Sequence, residues 1–413
     1  MTASPALERV LRGDLCAGCG ACAALAPGRV VMETSAAGFA RPAQKAPLDA
    51  AGEEAIAAVC PGLGMAQDAS GRRDDPLWGP MIAVRVGWAA DPALRRAASS
   101  GGALSAALAH LLETGAVERV IQTAASTARP IANMTVESRS AAEVLAAAGS
   151  RYAPSAPLET LAGALARPGR AAFVGKPCDV AALRAMARRD PRIDAAIPYM
   201  LSFFCAGVPG LDGARRVLAA LGMSEDEVAA FRYRGEGWPG YATATRPDGT
   251  AARMSYAESW GGILNHHVQF RCKICPDGVG GFADLVCADA WECDARGYPT
   301  FTEGDGRSLI VARTAKGEAL ARAAMAAGAL IAEPLAPEDI AAMQPGQRFR
   351  KRMLLSRLAA MALLGRPRPR YRGFHLIAAA RQAGLVANLR GFLGTCRRLL
   401  RPAAPRRPGP GGE

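Results

Sequence analysis

No apolar run in this sequence is long enough to cross a membrane. The longest uncharged stretches, Ala97–Leu112 and Ala195–Leu211, are broken by Gly101-Gly102 and by Pro198 and Pro209, and neither reaches the ~20 apolar residues a spanning helix needs. The N-terminus, MTASPALERV, lacks the basic start and apolar stretch of a secretory signal, so the cytoplasm is the expected compartment. No G-x-G-x-x-G follows an opening strand, which leaves a nicotinamide-type Rossmann site without support. There is no internal repeat, and no nucleic-acid motif accompanies the basic residues. Acidic residues are almost missing from the C-terminal end. From Gln347 onward there are 16 Arg or Lys and a single acid, Glu413, against 34 basic and 36 acidic residues before it. The body is nearly neutral, and the net charge of +13 belongs to the tail.

What is present is half hydrophobic, much of it alanine, in 413 residues, enough for more than one domain. Short apolar runs bounded by Gly, Pro or Asp read as strands: VERVIQT, RAAFVG, IPYMLSFFC, ADLVCAD and SLIVAR. Alanine-rich helical stretches lie between them, an alternation that predicts an α/β domain. Three regions follow: residues 1–75, closing on a polar GRRDD (Gly71–Asp75) that reads as a linker; residues 76–345, the α/β body; and residues 346–413, a basic tail, partly helical and then disordered. Between Arg372 and Arg401 the tail interleaves Phe374, Leu376, Ile377, Ala380, Leu385, Leu389, Phe392, Leu399 and Leu400 with Arg381, Arg390, Arg397 and Arg398. That composition suits an amphipathic helix lying on a membrane surface, and equally a helix packed on the body.

Eleven cysteines in a chain expected to be cytosolic point to metal or redox chemistry before disulfides. Cys16, Cys19 and Cys22 form C-x2-C-x2-C, followed by Cys60-Pro61. A loop with a thiolate at every third residue wraps three corners of a cubane, and a distant fourth closes it. Position 26, where a two-cluster ferredoxin would carry another cysteine, is Ala26. One [4Fe-4S] cluster is therefore expected on Cys16, Cys19, Cys22 and Cys60; zinc, which takes cysteines in pairs, fits the spacing less well. Cys178, Cys205, Cys272 and Cys275 make a second constellation. From spacing alone it is either one convergent site or a zinc half-site with two buried thiols. Cys287 and Cys396 read as bystanders, and Cys293 has no evident place.

Three loops suit a phosphorylated, planar cofactor. Ser99-Ser100-Gly101-Gly102 precedes a helix with Leu104, Leu108, Leu111 and Leu112 on one face, and serine caps with close-approach glycines suit a phosphate. GSRYAPS (Gly149, Ser150, Arg151, Tyr152) and RYRGEGWPG (Arg234, Gly235, Gly237, Trp238) combine glycine, arginine and aromatics that suit pyrophosphate and ring stacking. Candidate proton donors are His266, His267, Asp277 and Asp289.

Taken in order, CAGCGAC, SSGGALSAALAHLLETG, GSRYAPS, FVGKPCD, FFCAG, RYRGEGWPG and RCKICPDGVGGFADLVCADAW resemble the coenzyme F420 hydrogenase/dehydrogenase beta-subunit family. That family also takes in 7-hydroxymethyl chlorophyll a reductase and the ferredoxin-dependent divinyl chlorophyllide 8-vinyl reductase. The resemblance implies FAD, a [4Fe-4S] cluster within the flavin domain on Cys178, Cys205, Cys272 and Cys275, and often a second cluster in a fused ferredoxin-like segment. The implied architecture is an α/β (α+β) flavin domain with an N-terminal ferredoxin-like segment and a basic helical tail. The implied function is an iron-sulfur flavoprotein oxidoreductase. Electrons would run between a ferredoxin-like one-electron carrier, two clusters and FAD, with hydride passing to or from an organic substrate. An electron-transfer subunit with no substrate of its own is the alternative. Neither a deazaflavin nor a chlorophyll pigment is legible as substrate. Lys176 departs from the pattern, standing where a small or hydroxyl residue is expected before Pro-Cys.

Overall fold

A computed structural model describes residues 3–296 and 298–400. Its centre is an eight-stranded mixed sheet. In chain order the strands are β1 (Ala83–Ala89), β2 (Arg119–Ala125), β3 (Asn133–Ser138), β4 (Ala171–Gly175), β5 (Tyr199–Phe203), β6 (Leu285–Asp289), β7 (Ser308–Ala312) and β8 (Leu330–Pro334), and across the sheet they run β8-β1-β7-β6-β5-β4-β2-β3. The inner four, β2, β4, β5 and β6, are parallel, with Leu201 opposite both Val174 and Leu285. The flanking strands are antiparallel. The five strand-like runs of the sequence are five adjacent strands here, and β4 and β7 are buried at every residue. Strands covered on both faces read as continuous apolar runs for this reason, whether parallel like β4 or antiparallel like β7.

One face is covered by α1 (Ala103–Glu113) and α2 (Ala315–Ala326), whose Ala107, Leu108, Leu111, Leu320 and Ala324 pack with Val120, Leu285 and Ile310. The other carries α3 (Pro177–Ala187), with Val180, Leu183 and Met186 against Phe173, Met200 and Val286. The N-terminal segment shares this second layer: Cys19, Ala21 and Val59 pack into it, and Leu158 N–H donates to the Cys19 carbonyl at 3.0 Å. Gly71–Asp75 is no free linker. Arg73–Asp75 pairs with Gly79–Met81, and Arg72 Nη1 donates to the Arg313 carbonyl at 2.8 Å. An arginine-rich stretch so short finds enough backbone acceptors to be stitched down.

The basic region also folds back on the body through α4 (Pro345–Arg352), α5 (Leu354–Leu363) and α6 (Leu385–Leu400), the last packed along α5. Leu354, Leu358 and Met361 share a buried cluster with Val10, Leu15, Cys16 and Ile274. The Pro/Gly-rich end expected to be disordered lies outside the described residues. Among the described residues no helix is long and apolar enough to cross a membrane.

Candidate functional site

The carboxyl ends of parallel strands are where an open α/β sheet leaves a crevice, because backbone polar groups and loops diverge there. A cleft of about 280 Å³ sits at this edge. Its walls are the ends of β4 (Gly175, Lys176), β5 (Phe203 to Val208) and β6 (Cys287 to Asp289), the loop entering α1, and the Gly149–Ser155 loop. Of the sequence-predicted cofactor residues, Ser99, Ser100, Gly102, Gly149, Ser150, Arg151, Tyr152 and Arg234 line it, whereas Gly101, Gly235, Gly237 and Trp238 do not. Gly101 is needed for packing: a Cβ there would lie 2.7 Å from Ser308 N and 2.8 Å from the Gly87 carbonyl oxygen.

Several of these side chains have other employment. Gly102, at φ +75°, begins α1 without a side-chain cap, while Ser100 Oγ donates to the Arg307 carbonyl at 2.9 Å and Ser99 Oγ accepts from Ser150 N–H. The serines tie loops together and do not cap the helix. Arg151 spends its fork on protein acceptors: Asn133 Oδ1 at 3.0 Å and the carbonyls of Phe231, Pro130 and Ala132 at 2.7 to 2.8 Å. It shapes the wall and has little left to offer a pyrophosphate. Arg234, buried, holds Asp289 through two hydrogen bonds of 2.6 and 2.8 Å, and Trp238 Nε1 donates to the same carboxylate at 2.8 Å. Burial works against the Arg234 charge, but Asp289 outweighs it and the guanidinium is held above its ordinary pKa. Trp291 stacks on Trp238 at 4.9 Å and 11°, and the Arg234 guanidinium lies 4.9 Å from the ring centres of both Tyr256 and Trp291.

Asp289 is the one proton-donor candidate on the cleft. His266 and His267 sit on a short turn, Leu264–His267, next to Gly213, where burial and then Arg216 lower the His267 pKa. Asp277 is buried behind the Cys275 loop, where its Oδ1 accepts from Gly281 N–H at 2.7 Å. Residues that sequence reasoning missed include Gln122, Phe204, Tyr256, Trp291, Gln344 and Gln347. Gln347 comes from the segment counted as tail, and nothing in the sequence marks it or Gln344. Cys287, expected to be a bystander, is on the wall as well. Lys176 is buried there, its Nζ donating to Ser155 Oγ at 2.7 Å and pairing with Asp179 at 2.8 Å.

Both cysteine constellations are gathered, and none of these thiols is in a disulfide. In the N-terminal set burial raises each thiol's pKa, and the thiols reinforce one another. Cys16, pushed up to about 11, feels Cys60; Cys19 feels Cys60 and Cys22; Cys22 feels Cys16 and Cys60. For Cys178, Cys205 and Cys275 burial again leads; Cys178 then feels Asp179 and, opposing it, Lys176, followed by Cys205 and Cys275, and Cys205, raised to about 12, feels Cys272 and Cys275. Among the described residues no three His, Cys, Asp or Glu side chains close around one point as a single ion requires. A cubane spreads its thiolates over separate corners. Four free thiols per set, and a buried Arg271 Nε beside both with no hydrogen-bond partner, fit such a group.

Arg271 lies between the sets. It donates to the Pro61 carbonyl and to Tyr371 Oη, each at 2.8 Å, and its charge acts on Cys60 on one side and on Cys275, Cys178 and Cys272 on the other. The basic segment braces the inner set. Gln347 and Arg350 donate to the Cys205 carbonyl at 3.0 and 2.9 Å, Lys351 to the Pro276 carbonyl at 2.9 Å, and Tyr371 to the Ile274 carbonyl at 2.9 Å.

Residues 84–162 match the N-terminal part of the coenzyme F420 hydrogenase/dehydrogenase beta-subunit family, and residues 169–338 match its C-terminal part. The chain belongs to that family. Among solved structures it is similar to a chain of the F420-reducing [NiFe] hydrogenase complex from Methanosarcina barkeri, at 19% identity and a TM-score of 0.51, over 68% of this chain and 96% of that one. That likeness is one of fold. No curated protein matches the sequence significantly. The family regions contain the inner cysteines and all of the cleft lining except Gln344 and Gln347. The N-terminal cysteines and the bracing segment after residue 338 lie outside them.

Proposed function

We propose that this member of the family is an iron-sulfur flavoprotein oxidoreductase that exchanges electrons with a carrier protein or another subunit. One [4Fe-4S] cluster would sit on Cys16, Cys19, Cys22 and Cys60, a second on Cys178, Cys205, Cys272 and Cys275, and FAD in the cleft. The observation that carries this is Cys205: it belongs to the inner set and lines the cleft, so the two sites share a wall. When bound, the clusters supply one-electron steps and the flavin couples them to hydride transfer with an organic substrate. The chain supplies the surroundings. Lys176, fixed by Ser155 and Asp179, presents a positive charge to an anionic group in the cleft. Phe203, Phe204 and Trp291 offer apolar wall to a planar ring. Arg234 and Trp238 immobilise Asp289, so its carboxylate is a strut unless substrate displaces one of them.

Membership of a family named for hydrogenase and dehydrogenase beta subunits favours work within a complex, as does the assembly of the M. barkeri protein. Anaerobic purification with metal and flavin analysis is the test. We expect brown protein with about eight irons per chain under the two-cubane assignment, and one FAD. Zinc in place of iron, or colourless protein, would overturn it.

The C-terminal helix supports a further attachment, to an anionic membrane surface. On α6, Leu385, Leu389, Leu393 and Leu400 are 85%, 55%, 56% and 68% exposed, and Arg390, Arg397 and Arg398 are exposed alongside. A solvent-facing leucine row flanked only by arginines is the pattern of a helix that lies in an interface.

A further inference from the structure

An arginine groove opens where the helix Pro5–Arg12 meets the turn after α5. It is about 300 Å³, lined by Arg9, Arg12, Arg366 and Arg368 with Ala362, Gly365 and Pro367. All four arginines are exposed. Among the described residues none of them forms an ion pair. Arg366 is within electrostatic reach of Asp14, but that carboxylate is held by Arg41 at 3.1 Å. Unpaired like charges brought this close repel, and the arrangement is relieved by an anionic partner.

The groove's walls are joined to each other and to the N-terminal cysteines. Arg9 Nη2 donates to the Arg368 carbonyl at 3.2 Å, and a side chain at Gly13 would lie 3.0 Å from Pro367. Arg370 N–H donates to the Leu63 carbonyl at 2.9 Å, and Leu63 N–H in turn donates to the Cys60 carbonyl. The buried layer beneath contains Val10, Leu15, Cys16, Leu358 and Met361, with Cys60 against it. The positive surface is thus tied through the backbone to Cys60, and the buried layer that supports it contains Cys16. Every residue of the groove comes from segments outside the family regions, as do those cysteines.

We propose that this groove is the docking surface for an acidic one-electron carrier protein of the small ferredoxin kind. It has this role only if the Cys16 set holds a cluster, as proposed above. Each encounter moves one electron: the carrier is oxidised by one, this protein is reduced by one, and no bond or proton changes place. The lining favours a carboxylate-rich protein over nucleic acid, because it has no aromatic side chain on which a base could stack. It favours that protein over lipid as well, since the exposed leucine row lies on α6 and not in the groove. Charge complementarity around an otherwise small contact is how transient redox partners gain speed without tight binding.

The test uses the full chain, anaerobically purified, and a variant carrying Arg12→Glu, Arg366→Glu and Arg368→Glu, matched for iron and flavin content. The probe is a plant-type acidic [2Fe-2S] ferredoxin. Calorimetry with the oxidised ferredoxin should show affinity reduced by roughly tenfold or more at low salt, with the salt dependence flattened. Stopped-flow bleaching by reduced ferredoxin should slow in parallel, while bleaching by reduced methyl viologen, a small cation, stays at the wild-type rate. Affinity and salt dependence unchanged in a protein that viologen still bleaches would sink the docking surface alone. Release of the variant from anionic liposomes without change in ferredoxin affinity would reassign the groove to lipid. Protein without iron, unbleached by viologen, would overturn the cluster assignment and the docking surface with it.

Discussion

The two cysteine sets reach the same inventory, four thiols each, by opposite routes. In the N-terminal set three thiols fall between Cys16 and Cys22, in a loop and the first turn of the helix Ala21–Leu25, and a single excursion brings Cys60. The inner set gathers Cys178 from the first turn of α3 after β4, Cys205 from the turn after β5, and Cys272 and Cys275 from the short helix Phe270–Lys273 and the loop behind it, before β6, so the parallel order of the sheet is what assembles it. Their electrostatic surroundings differ too. Around the inner set Lys176, Arg271, Arg350 and Lys351 are countered by Asp179 and Asp277; around the outer one there are fewer cations, Arg41 and Arg271, countered by Asp14 and Asp179. A local loop can be grafted onto many proteins. A site made by a sheet is part of the fold.

The largest effect should come from removing the ligands that join the most structure. Cys272→Ala with Cys275→Ala should halve the iron, release flavin and leave the protein poorly soluble, since metal binding at such a site is folding energy. Full iron content in the double variant would show that the inner set is not a cluster site. Cys19→Ala should also lower iron by about half under the two-cubane assignment, but with the flavin retained. Because Cys19 also packs beneath the sheet with Ala21 and Val59, a modest fall in Tm is expected beside the iron loss. Loss of flavin in step with iron would erase the contrast between the two sets.

Smaller effects should follow from changing charge without touching ligands. Lys351 is buried against the Cys275 loop, and burial lowers its pKa to about 8, with Asp277 and Cys275 opposing the fall. Lys351→Met and Arg350→Met should lower the inner reduction potential by roughly 60 mV each, a tenfold change in a one-electron equilibrium, with the outer potential nearly unmoved. Redox titration followed by electron paramagnetic resonance separates the two signals. Equal shifts of both would mean that Lys351 and Arg350 do not act selectively on the inner set. Last, Leu389→Glu with Leu393→Glu on α6 should abolish sedimentation with anionic liposomes at low salt while leaving iron and flavin unchanged. A wild-type protein that never sediments would remove the membrane attachment from consideration.

The legible parts of the molecule were those in which a single physical signal acts alone. Five strands could be read because they are buried on both faces. β1 escaped because Arg85 interrupts its apolar run; that charge is buried by a two-bond pair with Glu318 of α2 at 2.6 and 2.7 Å, a partner distant in sequence. β8 carries Glu333 and Pro334, ordinary residues at a sheet edge and weak ones in a pattern search. Within the cleft, glycines and serines marked the right loops, but the tasks of Ser100 and Arg151 depend on carbonyls brought up by other parts of the chain. Lys176 stood out as an anomaly, and its meaning appears only with Ser155 and Asp179 beside it.

The brace on the inner cysteines has a consequence for the order of events during synthesis. Cys178, Cys205, Cys272 and Cys275 all leave the ribosome before Gln347, Arg350, Lys351 and Tyr371, whose hydrogen bonds hold the Cys205, Ile274 and Pro276 carbonyls in place. The nascent chain therefore displays all four thiols of that set while the structure that fixes their spacing is still unmade. On the proposed cluster assignment, metal loading at this site is expected to be a late, post-translational step, with the thiols open to oxidation until then.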